Sequence, residues 1–144
     1  MVHASPVFVS APSTLGIVQT DEQGSTFVAL GSAGSAAYAG LERFPNPGVA
    51  RVTLKSDELV AVCPITGQPD LYHVTIAYEP DQHCLESKSL KLYLNTFRNE
   101  GVFCEALAVQ IRDDVAGALA LAPVAVSVEL AQKARGGITI TAAA

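Results

Sequence analysis

The 144-residue sequence has no tryptophan, one methionine and 6% aromatic residues, so a core has to be built largely from aliphatic side chains. Basic residues are also scarce. Nine Lys and Arg against 14 Asp and Glu leave a net charge of -5, which argues against a protein that holds nucleic acid by charge alone. No stretch approaches the apolar length of a membrane-spanning helix, so no membrane partner is expected. The N-terminus shows no basic region followed by an apolar core, so no secretory signal is expected either. Cys63, Cys84 and Cys104 are the three cysteines. An odd count without metal-type pairing reads as free thiols in a reducing, cytoplasmic setting. His83 and Cys84 have no ligand partners at metal spacing. Neither a Gly-rich phosphate loop nor a Ser-His-Asp order is found.

What is present suits one compact domain, since 49% of the chain is hydrophobic and the length is that of a single core. Residues 1–40 are rich in Ala, Ser, Gly and Pro. They read as an N-terminal arm, loosely ordered or packed on a neighbour, with short strands at Val7–Val9 and Phe27–Leu30. The ordered domain is expected from Leu41 to the end, opening with the turn-rich Phe44-Pro45-Asn46-Pro47-Gly48.

Val49–Leu54 alternates, the polar Lys55-Ser56-Asp57-Glu58 interrupts it, and Leu59–Val62 forms a short apolar run. Leu71–Tyr78 reads as a clear strand, with Tyr72, Val74, Ile76 and Tyr78 on one face and His73, taken as a structural histidine, on the other. From Ser87 to Asn99 the period becomes helical, with Ser87 the expected N-cap and Gly101 the stop. A second helix starts near Val102 and stops at Pro123. Strands follow at Val124–Leu130 and Ile138–Thr141. The order strand, strand, helix, helix, strand, strand predicts an α+β fold, a largely antiparallel sheet with both helices on one face. Four strands leave two open edges, which are usually paired, covered or closed by oligomerisation.

Several segments could carry chemistry. Cys63 ends a short strand, and the turn Thr66-Gly67-Gln68-Pro69 returns Asp70 nearby, giving a thiolate beside a carboxyl suited to attack on a polarised carbon. Taken singly, a small core cysteine and a turn aspartate is the stronger reading. Lys88 and Lys91 share one side of a helix start, where cations oppose the dipole and an anionic phosphate would rationalise them. Two solvated surface lysines explain them as well. Glu105, with Phe103 before it, could grip the paired N–H groups of a guanine-like edge while Phe103 stacks. Taken singly, a favourable acid at a helix start with Phe103 as a staple is the better reading. Arg135-Gly136-Gly137 is either a simple turn or a flexible backbone that presents Arg135 to phosphate.

In order, Leu41-Glu42 with Phe44-Pro45-Asn46-Pro47, Cys63-Pro64 with Thr66-Gly67-Gln68-Pro69-Asp70, Glu86-Ser87-Lys88-Ser89-Leu90-Lys91-Leu92-Tyr93, Phe97-Arg98-Asn99, Glu105 and Arg135-Gly136-Gly137-Ile138 resemble the single-domain 7-cyano-7-deazaguanine reductases of queuosine biosynthesis. The likeness covers about Leu41 to Ile140. It implies the tunnelling fold, subunits closed into a ring or stacked rings with interfacial sites, a small deazapurine substrate, and NADPH as cofactor. By the same resemblance Cys63 is the nucleophile that forms a thioimide, and Asp70 is the acid that protonates the nitrile nitrogen. Glu105, Glu86, Ser87, Phe103 and Cys104 neighbour the substrate, and Lys88, Lys91 and Arg135 hold cofactor phosphate. Cys104 stands where the family carries His, Glu100 interrupts Phe-Arg-Asn-His-Gly, and Ala131-Gln132-Lys133-Ala134 replaces an aromatic-Pro stretch, so proton delivery and substrate choice are where this chain departs. The alternatives are an amidinotransferase-like relative acting on the same nitrile and a non-catalytic purine or pterin binding module.

Overall fold

The computed structural model describes residues 37–144 and, before them, the backbone of two short antiparallel strands, β1 (Gln19–Thr20) and β2 (Thr26–Phe27). The strand expected at Val7–Val9 and the rest of that expected at Phe27–Leu30 lie outside the described residues.

The centre of the molecule is a four-stranded antiparallel sheet in the order β4 (Val52–Val62), β5 (Pro69–Tyr78), β7 (Val126–Arg135), β8 (Ile138–Ala143). Ahead of it, β3 (Arg43–Pro45) pairs with β6 (His83–Leu85) in a small ribbon. Two helices, α1 (Ser87–Thr96) and α2 (Cys104–Leu119), lie between β6 and β7. For the four-stranded sheet the expected order of strand, strand, helix, helix, strand, strand is what the chain adopts.

Alternation makes β5 the spine of the sheet. Tyr72, Val74, Ile76 and Tyr78 all point into the core, as period-2 geometry requires when one face is covered. Opposite them, Val126, Val128 and Leu130 of β7 are buried in register with Tyr78, Ile76 and Val74. The helices close this face with Leu90, Tyr93 and Leu94 of α1 and Leu107, Ile111, Val115 and Leu119 of α2, in one continuous cluster. That spacing gives an apolar stripe facing the sheet.

Three local expectations are corrected. Val49–Leu54 and Leu59–Val62 are not separate strands. They form the single strand β4, and the polar Lys55–Glu58 stretch is a register shift between Ser56 and Leu59. The Ser56 hydroxyl accepts from the Glu58 amide at 3.2 Å, a local turn that inserts residues without ending the pairing. Secondly, Glu86, not Ser87, caps α1: its carboxylate accepts from the Lys88 and Ser89 amides at 2.7 Å each. An anion there also suits the helix dipole. Thirdly, α2 ends before Pro123, at Ala120, whose φ of 55° puts it in the left-handed region. That conformation lets the Leu121 amide reach back to the Ala116 carbonyl.

Candidate active site

Cys63 follows the last residue of β4 and begins a tight loop. Its amide donates to the Gln68 carbonyl at 2.8 Å, and the Gly67 amide donates back to its carbonyl at 2.9 Å. Gly67 has φ +67°, so the loop needs a residue without the left-handed penalty at that point. Closing the loop folds Ile65 and Thr66 over the sulfur. The Thr66 hydroxyl, then the Thr66 and Ile65 amides, donate to it and hold the thiol below its ordinary pKa, against the opposing influence of burial and of Asp70. A half-buried cysteine ringed by hydrogen-bond donors is the environment of a reactive thiolate.

Asp70 is the second residue of β5 and is buried, 7% exposed. The β4–β5 register sets it opposite Ala61, two residues before Cys63. Arg135 reaches it from the far end of β7. Its guanidinium pairs with the Asp70 carboxylate, donates to the Pro69 carbonyl at 2.7 Å and contacts the Gln68 side chain. Gly136 and Gly137, with φ of 58° and 81°, make the turn that ends β7 at this point. The structure therefore sets Arg135 beside Cys63's loop and Asp70, in a contact between residues 65 apart that local sequence patterns do not reveal.

The start of α2 is tied to the same loop. The Val62 amide donates to the Glu100 carbonyl at 2.9 Å and the Val102 amide to the Val62 carbonyl at 3.1 Å, a parallel bridge from the end of β4 to the segment before α2. Any side chain at Gly101 would lie against Pro64, 3.6 Å from its Cα. Across this bridge come Phe103, 55% exposed, then Cys104, buried, then Glu105, exposed. The Cys104 thiol lies 4.0 Å from the Leu130 carbonyl, and burial first, then the Glu105 charge, pushes its pKa up. It is a neutral thiol at the inner wall.

Tyr72 was read in the sequence only as a core strand residue. It is fully buried, and its phenol is pushed up by burial and then by the charges of Asp70, Cys104, Cys63 and Glu105, in that order. Four expected site residues thus act on one tyrosine through their charge. Its alternation with Val74 and Ile76 is indistinguishable from that of a packing residue, so no sequence signal marked it.

The remaining expected residues lie elsewhere on the chain. Ser87 and Lys91 line a groove of about 640 Å³ between β4 and α1, together with Lys55 and Arg98. Neither Cys63 nor Asp70 lines it. Glu86 is 4% exposed, its carboxylate committed to the amides of α1. The backbone amide of Lys88 is one of those two donors. Among the described residues no His, Cys, Asp and Glu cluster could hold a metal ion.

An antiparallel sheet covered on one face by two helices defines an α+β protein, and its candidate site is a hydrogen-bonded cysteine in the loop that leads to a buried carboxylate. More particularly, the chain belongs to the QueF-like family, whose model matches residues 69–144. It is 46% identical over 114 residues to the NADPH-dependent 7-cyano-7-deazaguanine reductase of Frankia casuarinae, covering 78% of this chain and 90% of that one. It is 48% identical over 104 residues to the reductase of the same name from Syntrophus aciditrophicus, covering 70% and 73%. The crystal structure of the archaeosine synthase QueF-Like in the apo form superposes with a TM-score of 0.60 over 67% of this chain and 93% of that one, at 24% identity, a likeness of fold.

Proposed function

We propose that this chain reduces the nitrile of 7-cyano-7-deazaguanine to an aminomethyl group with NADPH, through a thioimide on Cys63. The carrying observation is the ring of donors on the Cys63 sulfur, set within a few residues of the buried Asp70. The names and extent of the relatives support the substrate and cofactor.

The chemistry follows from these groups. The Cys63 thiolate adds to the nitrile carbon, forming the C–S bond and breaking one C≡N π bond. Asp70 carries the displaced thiol proton to the nitrogen, which leaves a neutral thioimide. Bound NADPH supplies hydride, and two are needed to reach the amine. After the first hydride reaches carbon, the C–S bond breaks and Cys63 leaves as thiolate. The imine then takes the second hydride and a proton. Glu105 holds the N–H edge of the heterocycle with Phe103 against its face, while Glu86 and Ser87 border the substrate. Closure around the imine keeps water from hydrolysing it.

The groove that holds Lys91 is lined by three cations, by Ser56 and Ser87 and by one acid, Glu58, and the excess of cations supports a phosphate-bearing cofactor there. We assign Lys88 and Lys91 to that phosphate. Arg135 joins them only by leaving Asp70. The two open edges, β4 and β8, support the tunnelling-fold assembly, in which subunits complete each other's sheets and sites in a homo-oligomeric ring. Residues 1–40 are then an arm and 41–144 the catalytic domain. No helix among the described residues is long and apolar enough to cross a membrane, and we place the reaction in the cytoplasm.

Intact-protein mass spectrometry with 7-cyano-7-deazaguanine and no NADPH tests the reading. The expected result is a gain of one substrate mass, mapped to Cys63 and released on addition of NADPH. An unmodified chain under saturating nitrile refutes the thioimide route.

A further inference from the structure

The ladder between β5 and β7 ends where Tyr72 faces Gln132. Pro69, Asp70 and Leu71, at the start of β5, pair with β4 on their other side, and Pro69 has no amide to offer a neighbour. Meanwhile β7 shifts its register against β8 between Gln132 and Arg135. Such a shift bends the strand and re-aims the side chains beyond it. The Arg135 side chain crosses to the end of β5 that the ladder does not reach.

There one guanidinium donates to three consecutive residues: the Gln68 side chain, the Pro69 carbonyl at 2.7 Å and Asp70 Oδ1 at 2.5 Å. Its donors are held in a planar fork, so the three oxygens are fixed relative to one another. The Asp70 side chain is 10% exposed and that of Arg135 32%, so the pair is largely shielded from water. The same segment closes the cysteine loop, because the Cys63 amide donates to the Gln68 carbonyl at 2.8 Å. Arg135 thus holds both the exit of the loop that carries the sulfur and the carboxylate next to it in the chain.

We propose that Arg135 is a positioning residue for the covalent step, whose guanidinium fixes the Asp70 carboxylate against the Cys63 loop before any cofactor binds. The proposal rests on the nitrile-reductase reading and deepens it, by giving Arg135 a part in a step that uses no hydride. In that step sulfur gives its proton to the carboxylate and bonds the nitrile carbon. One C≡N π pair moves to nitrogen, which takes the proton from Asp70, and the carboxylate is restored. Arg135 takes Oδ1, so Oδ2 is the oxygen that carries the proton.

Adduct formation by the full-length protein with 7-cyano-7-deazaguanine and no NADPH isolates this step. Its rate, followed by intact-protein mass spectrometry, should fall about 10- to 100-fold in Arg135→Ala, the cost of a misplaced reacting group. In an Asp70→Asn background the same substitution should change the rate by less than about 2-fold, because Arg135 acts through Asp70. Arg135→Lys keeps the charge without the fork and should fall between wild type and Arg135→Ala. Iodoacetamide alkylation of Cys63 needs the sulfur but no carboxylate, and should slow far less than adduct formation. A wild-type adduct rate in Arg135→Ala, with only the KM for NADPH raised, overturns the proposal and returns Arg135 to the cofactor. Additive losses in the double variant overturn it too, as do equal losses of alkylation and adduct formation, which a collapsed loop would give. Should Arg135→Ala fail to fold, Arg135→Lys decides, and a wild-type adduct rate there is the overturning result. Failure of the wild type to form any adduct would instead overturn the thioimide reading, which keeps the two failures apart.

Discussion

Two cysteines border the candidate site, and their surroundings displace the thiol pKa in opposite directions. Cys63 lies in a six-residue loop whose amides and one hydroxyl converge on sulfur, and it is held below the usual thiol range. Cys104 opens a helix, the place in a fold where a thiolate is most often favoured, yet it is pushed up. The difference teaches that the helix start does not decide the matter. Cys104 is packed among apolar residues against β7 with the Glu105 carboxylate beside it, and desolvation with a like charge outweighs the dipole. Cys63 has less cover and more donors. Reactivity at this site is thus assigned by local hydrogen bonding, and packing keeps the second thiol inert.

The largest effect expected is from Cys63→Ala, which should abolish both adduct formation and turnover, while circular dichroism shows the fold intact. Residual nitrile reduction would place the nucleophile elsewhere and erase the contrast. Thr66→Val should come next. It removes the leading donor to the sulfur, so iodoacetamide alkylation of Cys63 at neutral pH should slow about 3- to 10-fold, and its pH midpoint should rise. Peptide mapping should show Cys63 alkylated at a lower pH than Cys84 or Cys104, both of which burial pushes up. The linkage signs differ accordingly. The lowered Cys63 contributes stability above the ordinary thiol pKa, and this is lost as pH falls through its folded value. The raised Cys104 contributes stability below the ordinary pKa, lost as pH rises through its folded value. The smallest effect is that of Cys104→Ala. It should leave the rate of Cys63 alkylation unchanged and lower stability by about 1 kcal/mol, read from denaturant midpoints, because one buried sulfur is removed from a core that can partly close.

The sequence made the spine legible. Alternation from Tyr72 to Tyr78 marks β5, and the spacing of Leu90, Tyr93, Leu94 and Phe97 marks α1, because long one-face burial imposes a period. The identity of the site residues came from ordered motifs, since Cys63 alone looks like any small buried residue. What escaped was set by contacts distant in sequence or by short elements. The polar Lys55–Glu58 stretch resembles a turn because an edge strand facing water tolerates polar residues at a bulge. The strands β3 and β6 have three residues each, below the length at which a period can be seen. Ser87 is the better N-cap by residue preference, but the longer Glu86 reaches two amides from one position earlier. The Arg135–Asp70 pair depends on β7 running on to Arg135, its tenth residue, five beyond the apolar run that announced it.

The bridge from Val62 to Gly101 has a further meaning for selectivity. One end leads into the loop that carries Cys63 and the other into the start of α2, and both hydrogen bonds are backbone to backbone, so the spacing of these two backbone segments does not depend on side-chain rotation. Under the proposed reading, in which Cys63 and Glu105 both hold the substrate, the backbone between them acts as a gauge. A flat heterocycle whose reactive carbon and N–H edge are separated by the set length engages both jaws at once. A ring system one atom longer or shorter loses one of them. Such a protein would discriminate by length before it discriminates by polarity, and variation elsewhere in the wall could proceed without loosening the measure.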